Sequence, residues 1–157
     1  MNKTVLSLYI VVSLVFSFAI SGCHYFGNGA VRSSAEVVSL EKLKAVLKTE
    51  VDATVTKDHP RSNDYIAFIL QNTKAVPEQL IEISDTQKQV KMKVRTINPE
   101  ARQMLLEIVG KLQGKKANAF NFTDALGMIK VQKGESFLFV DQSFTLTLQK
   151  AGFAWRE

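Results

Sequence analysis

The strongest constraint in this 157-residue chain lies at its start. Residues 5–20 (VLSLYIVVSLVFSFAI) carry no charge, follow Lys3, and run into Ser21, Gly22 and Cys23. A segment apolar on every side must be buried in protein or lipid, or be removed. At a rise of about 1.5 Å per residue, sixteen helical residues span about 24 Å, short of a hydrocarbon core of roughly 30 Å. A removable signal therefore fits better than a permanent membrane span. Lys3 supplies the positive leader, the apolar run the hydrophobic segment, and small residues precede the point of cleavage. Removing residues 1–22 leaves 135, which is enough for one domain with a real core.

The end of that run is more specific. Ile20-Ser21-Gly22-Cys23 resembles the lipobox of bacterial lipoprotein precursors, in which an aliphatic residue and two small ones lead to a cysteine. The resemblance covers only the first 23 residues, and no family is recognised for residues 24–157. It implies a diacylglyceryl group on the Cys23 sulfur, cleavage between Gly22 and Cys23, and acylation of the new amino terminus. Two or three acyl chains, at about 0.8 kcal/mol per buried methylene, make a stable anchor. His24 stands where an aspartate would signal retention at the inner membrane in enteric-type bacteria. The expected location is the periplasmic face of the outer membrane.

Cys23 is the only cysteine, and the chain has two histidines, His24 and His59. An intramolecular disulfide is excluded and no Cys/His zinc cluster is expected. No metal and no cofactor is expected beyond the covalent lipid on Cys23.

Glycine, asparagine and serine at positions 27–29, 33 and 34 predict a flexible tether over residues 23–34. A single α+β domain is expected over 35–157. Leu40, Leu43, Val46 and Leu47 opposite Lys42, Lys44 and Lys48 predict an amphipathic helix over 35–48. Alternation at Val51, Ala53 and Val55 predicts a strand. The run 65–70 (YIAFIL) reads as a buried strand, with a helix capped by Ser62 or Asn63 left open. Residues 80–84 and 89–97 form a predicted hairpin whose second strand points Val90, Met92 and Val94 one way and Lys91, Lys93 and Arg95 the other. Asn98 as cap, Pro99 at the first position and Glu100 in the first turn open a second helix, striped by Ala101, Leu105, Ile108, Val109 and Leu112. Gly114 is its expected stop. Residues 128–133, 136–141 and 144–148 are expected to close the chain as a β-meander. The predicted architecture is α+β: an antiparallel sheet with about two packed helices.

Charge is unevenly distributed. Residues 36–85 carry six basic and nine acidic side chains, whereas residues 88–133 carry ten basic and three acidic. The Lys91, Lys93 and Arg95 face is thus the candidate interaction surface, suited to an acidic partner or an anionic lipid or glycolipid. The other candidate chemistry is a loop holding Asp58, His59 and Asp64, where a histidine near two carboxylates can serve as a general base or a metal ligand. No nucleophile elbow, zinc-protease motif, phosphate loop or dinucleotide fingerprint occurs, so no catalytic residues are assigned. An exported, lipidated domain is not expected to meet nucleic acid. The expectation is a lipid-anchored, non-catalytic binding or assembly module of the cell envelope that docks on another envelope protein. Anionic-lipid binding comes second and an envelope hydrolase last. Exposure of Phe153 and Trp155 would mark a contact patch.

Overall fold

A computed structural model describes the backbone of residues 3–55, 59–112 and 115–157, and the side chains of this set from residue 27 on, apart from residue 115. Gly22 and Cys23, the expected cleavage and lipidation positions, lie outside the described side chains. Asp58 and Gly114 lie outside the described residues altogether.

The α+β expectation holds. In chain order the elements are α1 (Lys3–Thr54), α2 (Ser62–Gln71), β1 (Lys74–Ser84), β2 (Gln87–Ile97), α3 (Pro99–Gly110), α4 (Lys115–Asn118), α5 (Phe122–Lys133), a 3-10 turn (Glu135–Phe137), β3 (Phe139–Ala151) and β4 (Ala154–Arg156). The strands form one antiparallel sheet in the order β1-β2-β3-β4. Pro77 lies on the edge strand β1, beside a register shift, where a missing N–H does least harm to the ladder. Alternation in β2 is as expected, with Val90, Met92 and Val94 buried and Lys91, Lys93 and Arg95 exposed.

One face of the sheet is covered by α1. Val31 and Ala35 are fully buried against Val90, Met92, Leu146 and Leu148, with Val38, Leu80, Phe144 and Trp155 around them. Arg32 reaches the edge strand, its Nη1 donating to the Pro77 carbonyl at 3.1 Å. A second, larger core lies toward the other end of α1. There Leu47, Val51 and Val55 meet Tyr65 and Ile69 of α2, Leu105, Leu106 and Val109 of α3, and Phe122 and Ile129 of α5.

Four of the sequence expectations are corrected. Residues 24–34, expected as a flexible tether, continue α1, and Val31 is buried within them; an apolar residue every turn outweighs two exposed glycines. The alternation at 51–55 is helical through Thr54, because Leu47, Val51 and Val55 are spaced by four and fall on one buried stripe. Residues 65–70 take the helical alternative, burying Tyr65, Ile66 and Ile69 while Ala67 stays exposed. The C-terminal meander loses its first strand: residues 128–133 belong to α5, whose N-cap Asn121 accepts from the Thr123 and Asp124 amides at 2.9 and 3.4 Å. That helix buries Phe122, Ala125, Leu126 and Ile129 and leaves Met128 and Val131 in solvent. The sheet thus carries four longer helices where about two were expected, and its C-terminal part is the β3–β4 hairpin.

Candidate interaction face

Among the described residues, the other face of the sheet is exposed along residues 91–95 of β2, and its Ile97–Phe139 end runs into the larger core. The outward residues of β2 are Gln87, Gln89, Lys91, Lys93 and Arg95, and the register sets their neighbours. On β1, Lys74 lies opposite Arg95, Val76 opposite Lys93, and Gln79 opposite Lys91. On β3, Asp141 lies opposite Arg95, Ser143 opposite Lys93, and Thr145 opposite Lys91. All nine of these flanking and central residues from 91 to 95 and their partners are exposed. The face therefore gathers four cations, Lys74, Lys91, Lys93 and Arg95, with Asp141 across from Arg95 and Glu78 in the β1 bulge beside Lys91. Hydroxyl and amide side chains separate them.

The cations are held to different degrees. Lys93 Nζ lies 3.9 Å from an Asp141 carboxylate oxygen, with both side chains about half exposed, so water and salt screen most of that attraction. The Arg95 guanidinium lies over the Phe139 ring, 5.2 Å from its centroid. Its stem is thereby pinned at the end of the sheet near the larger core. Lys91 extends from the middle of the central strand. A row of like charges about 7 Å apart along a strand, in excess over the nearby acids, produces a positive potential that no isolated lysine would. The hydroxyl and amide side chains between the cations add hydrogen-bonding capacity.

A second surface runs between α1 and the C-terminal hairpin. Ala30, Ser34 and Val37 form one wall and Phe153, Trp155 and Arg156 the other. Phe153 follows Gly152, whose φ of +64° makes the tight turn possible, and its ring is fully exposed. Trp155 is half-buried, with Lys88 Nζ 5.6 Å from its ring centroid. Lys88 is a cation on the buried side of β2, paired with Glu82 at 2.8 Å and donating to the Asn28 amide oxygen at 3.3 Å. Sequence reading missed this lysine. Its even position among Val90, Met92 and Val94 was the available signal.

The loop proposed for acid–base chemistry is built differently. His59 Nδ1 accepts from the Arg61 amide at 3.2 Å, which leaves Nε2 to carry the proton toward the Leu112 carbonyl, also at 3.2 Å. Both ring nitrogens are spent tying this loop to the end of α3. Asp64 faces Arg61 Nε at 3.2 Å, and the same guanidinium donates to the Phe120 carbonyl at 2.9 Å and lies over Phe122. These contacts join loop, α2 and α5, a structural task. Among the described residues, no three of His, Cys, Asp and Glu stand together as metal ligands would.

The most buried charge among the described residues, Arg102, belongs to the larger core. Arg102 makes a two-pronged pair with Glu50, at 2.6 and 3.1 Å, and donates to the Ile97 carbonyl at 3.3 Å. The Tyr65 hydroxyl donates to the Arg102 carbonyl at 3.4 Å. Burial, reinforced by the Glu50 carboxylate, pushes the pKa of Tyr65 far upward. These groups clamp α1, α2 and α3 together and present no open space to a substrate.

No protein-family model matches this chain, and no curated protein or solved structure is significantly similar to it.

Proposed function

We propose that this chain is a lipid-anchored, non-catalytic binding module of the cell envelope, attached through Cys23 at the periplasmic face of the outer membrane. Its working surface is the open sheet face, and its partner is an acidic envelope protein. The observation that carries this reading is the row Lys91, Lys93 and Arg95 on the central strand, joined across the register by Lys74, four cations against the two nearby carboxylates of Glu78 and Asp141. An exposed sheet face buries area over several strands at once, and its cations favour a negatively charged counterpart while repelling a basic one.

The anchor is tested by the intact mass of the membrane-extracted protein, which should begin at Cys23 and carry acyl groups. The face is tested by Lys91→Glu, Lys93→Glu and Arg95→Glu combined. A photocrosslinker at Thr145 should capture one defined partner with the natural face and lose it with the reversed one, while the circular dichroism spectrum stays the same. Capture that survives the reversal would remove the sheet face from the proposal.

Anionic lipid or glycolipid binding is the second reading, favoured by the same four cations. It predicts that vesicles rich in anionic lipid compete with the crosslink. An envelope hydrolase is not supported by His59, because both its ring nitrogens are already hydrogen-bonded.

A further inference from the structure

The continuity of α1 carries a consequence for how the domain meets the bilayer. No loop separates residue 23 from the folded body: α1 runs through both without a break, and Asn28 is already in contact with Lys88. Five helical residues advance about 7.5 Å. The anchor position is therefore within roughly a turn and a half of the sheet, and the end of the sheet nearest to it is fixed by contacts. Lys88 is the second residue of β2, so the turn joining β1 to β2 stands level with Asn28. The Lys150 amide donates to the Thr86 carbonyl at 2.8 Å, which brings the β3–β4 turn beside it. Phe153 shares a groove with Ala30 on α1.

Both hairpin turns thus stand at the anchor end of α1, and both expose apolar side chains. Phe153, at the tip of its turn, is 106% exposed and Ile83 is 53% exposed. Neither packs in either core. A ring held out at a turn has no stabilising role within the fold. At a bilayer surface it would leave water for the acyl boundary, where aromatic side chains are enriched. Lys150 and Arg156, exposed on either side of Phe153, fit the headgroup layer.

We infer that the hairpin end of the domain is a membrane-contacting surface, with Phe153 and Ile83 inserted at the lipid interface and α1 standing up from the bilayer. The inference rests on the proposed anchoring at Cys23. It also orients the basic face. Strands rise about 3.3 Å per residue, so Lys93 and Arg95 stand some 20 to 27 Å above the turn at Gln87. The headgroup region is only about 5–7 Å deep on each side of the bilayer. Those cations therefore face sideways into the aqueous space, toward a protein and away from the lipid beneath.

The test uses the full membrane-extracted chain, reconstituted in phosphatidylcholine–phosphatidylglycerol vesicles with part of the lipid brominated on its acyl chains. Phe153→Trp and Val131→Trp are compared with the natural chain, whose Trp155 sets the baseline. Val131 is 89% exposed on α5, near the opposite end of the sheet. The tryptophan added at 153 should be quenched at least twofold more than the one added at 131. Equal quenching at the two positions overturns the orientation, and an acylated mass in the same sample then shows that the anchor itself stands. A chain that carries no acyl group and does not float with the vesicles overturns the anchor reading and this inference together.

Discussion

Toward the C-terminal end of α1, Leu47 and Val51, with Val55 just beyond it, are enclosed by three other helices, whereas at mid-helix Val31 and Ala35 rest on a single sheet whose far side is exposed along residues 91–95 of β2. The first end contains the buried Glu50–Arg102 pair and the Tyr65 hydroxyl. The second contains one buried lysine, an exposed phenylalanine and a row of surface cations. The difference separates tasks: the helical end supplies most of the enclosed apolar surface that stabilises the chain, which frees the sheet end to expose residues that do nothing for the fold.

The comparison can be broken by substitution. The largest effect is expected at Arg102. Arg102→Leu leaves the Glu50 carboxylate partly buried without its partner and should cost about 3–5 kcal/mol in urea unfolding. Replacing both residues by leucine should cost less than the sum of the single changes, since no charge is then stranded. Matched core truncations come next. Leu105→Ala, among three helices, should cost about 3–4 kcal/mol, and Leu148→Ala, on the sheet, about 2–3 kcal/mol; the reverse order would contradict the assignment of stability to the helical end.

Tyr65 offers a pH-dependent measure of the same clamp. Its pKa is raised in the folded state by burial, while an unfolded tyrosine ionises near pH 10. Above about pH 10 the unfolded chain therefore binds fewer protons than the folded one. The contribution of Tyr65 is full below that pH and is lost as pH rises beyond it. The stability difference between the natural chain and Tyr65→Phe should be flat from pH 6 to 9 and shift in favour of phenylalanine at higher pH. A difference that does not change up to pH 11 would show that the hydroxyl is open to water.

The smallest effects on stability are expected where function is proposed. Lys93→Glu and Phe153→Ser should each change unfolding free energy by less than about 0.5 kcal/mol. A loss above about 1.5 kcal/mol at either position would show that the sheet end is part of the stabilising core.

Much of this arrangement was legible residue by residue. Asn98 caps α3 by accepting from the Glu100 amide at 2.9 Å, with Pro99 following it, because a cap is a local device that needs no distant partner. The alternation of β2 was legible for the same reason: a period of two over nine residues admits one face in water and one in the core. Val51, Ala53 and Val55 misled because a short stretch fits two periods at once. Only Leu47 at the same spacing of four, packed on α2 and α3, selects the helix. In residues 128–133, β-branched and apolar side chains favoured a strand, but the Asn121 cap and the stripe from Phe122 to Ile129 prevailed, leaving Val131 exposed.

The amino-acid sequence by itself determined the uncharged apolar run of residues 5–20, the cap of α3 and the two-sided character of β2, since each depends on neighbours within a few positions. Which side of β2 would be covered was beyond it, as was the position of Phe153 beside Ala30 and of Lys88 beside Asn28. Those pairs are separated by 123 and 60 residues along the chain. Only the closing of the sheet against α1 brings them together, because the helix must bury Val31 and Ala35 and the strands offer one apolar face to receive them.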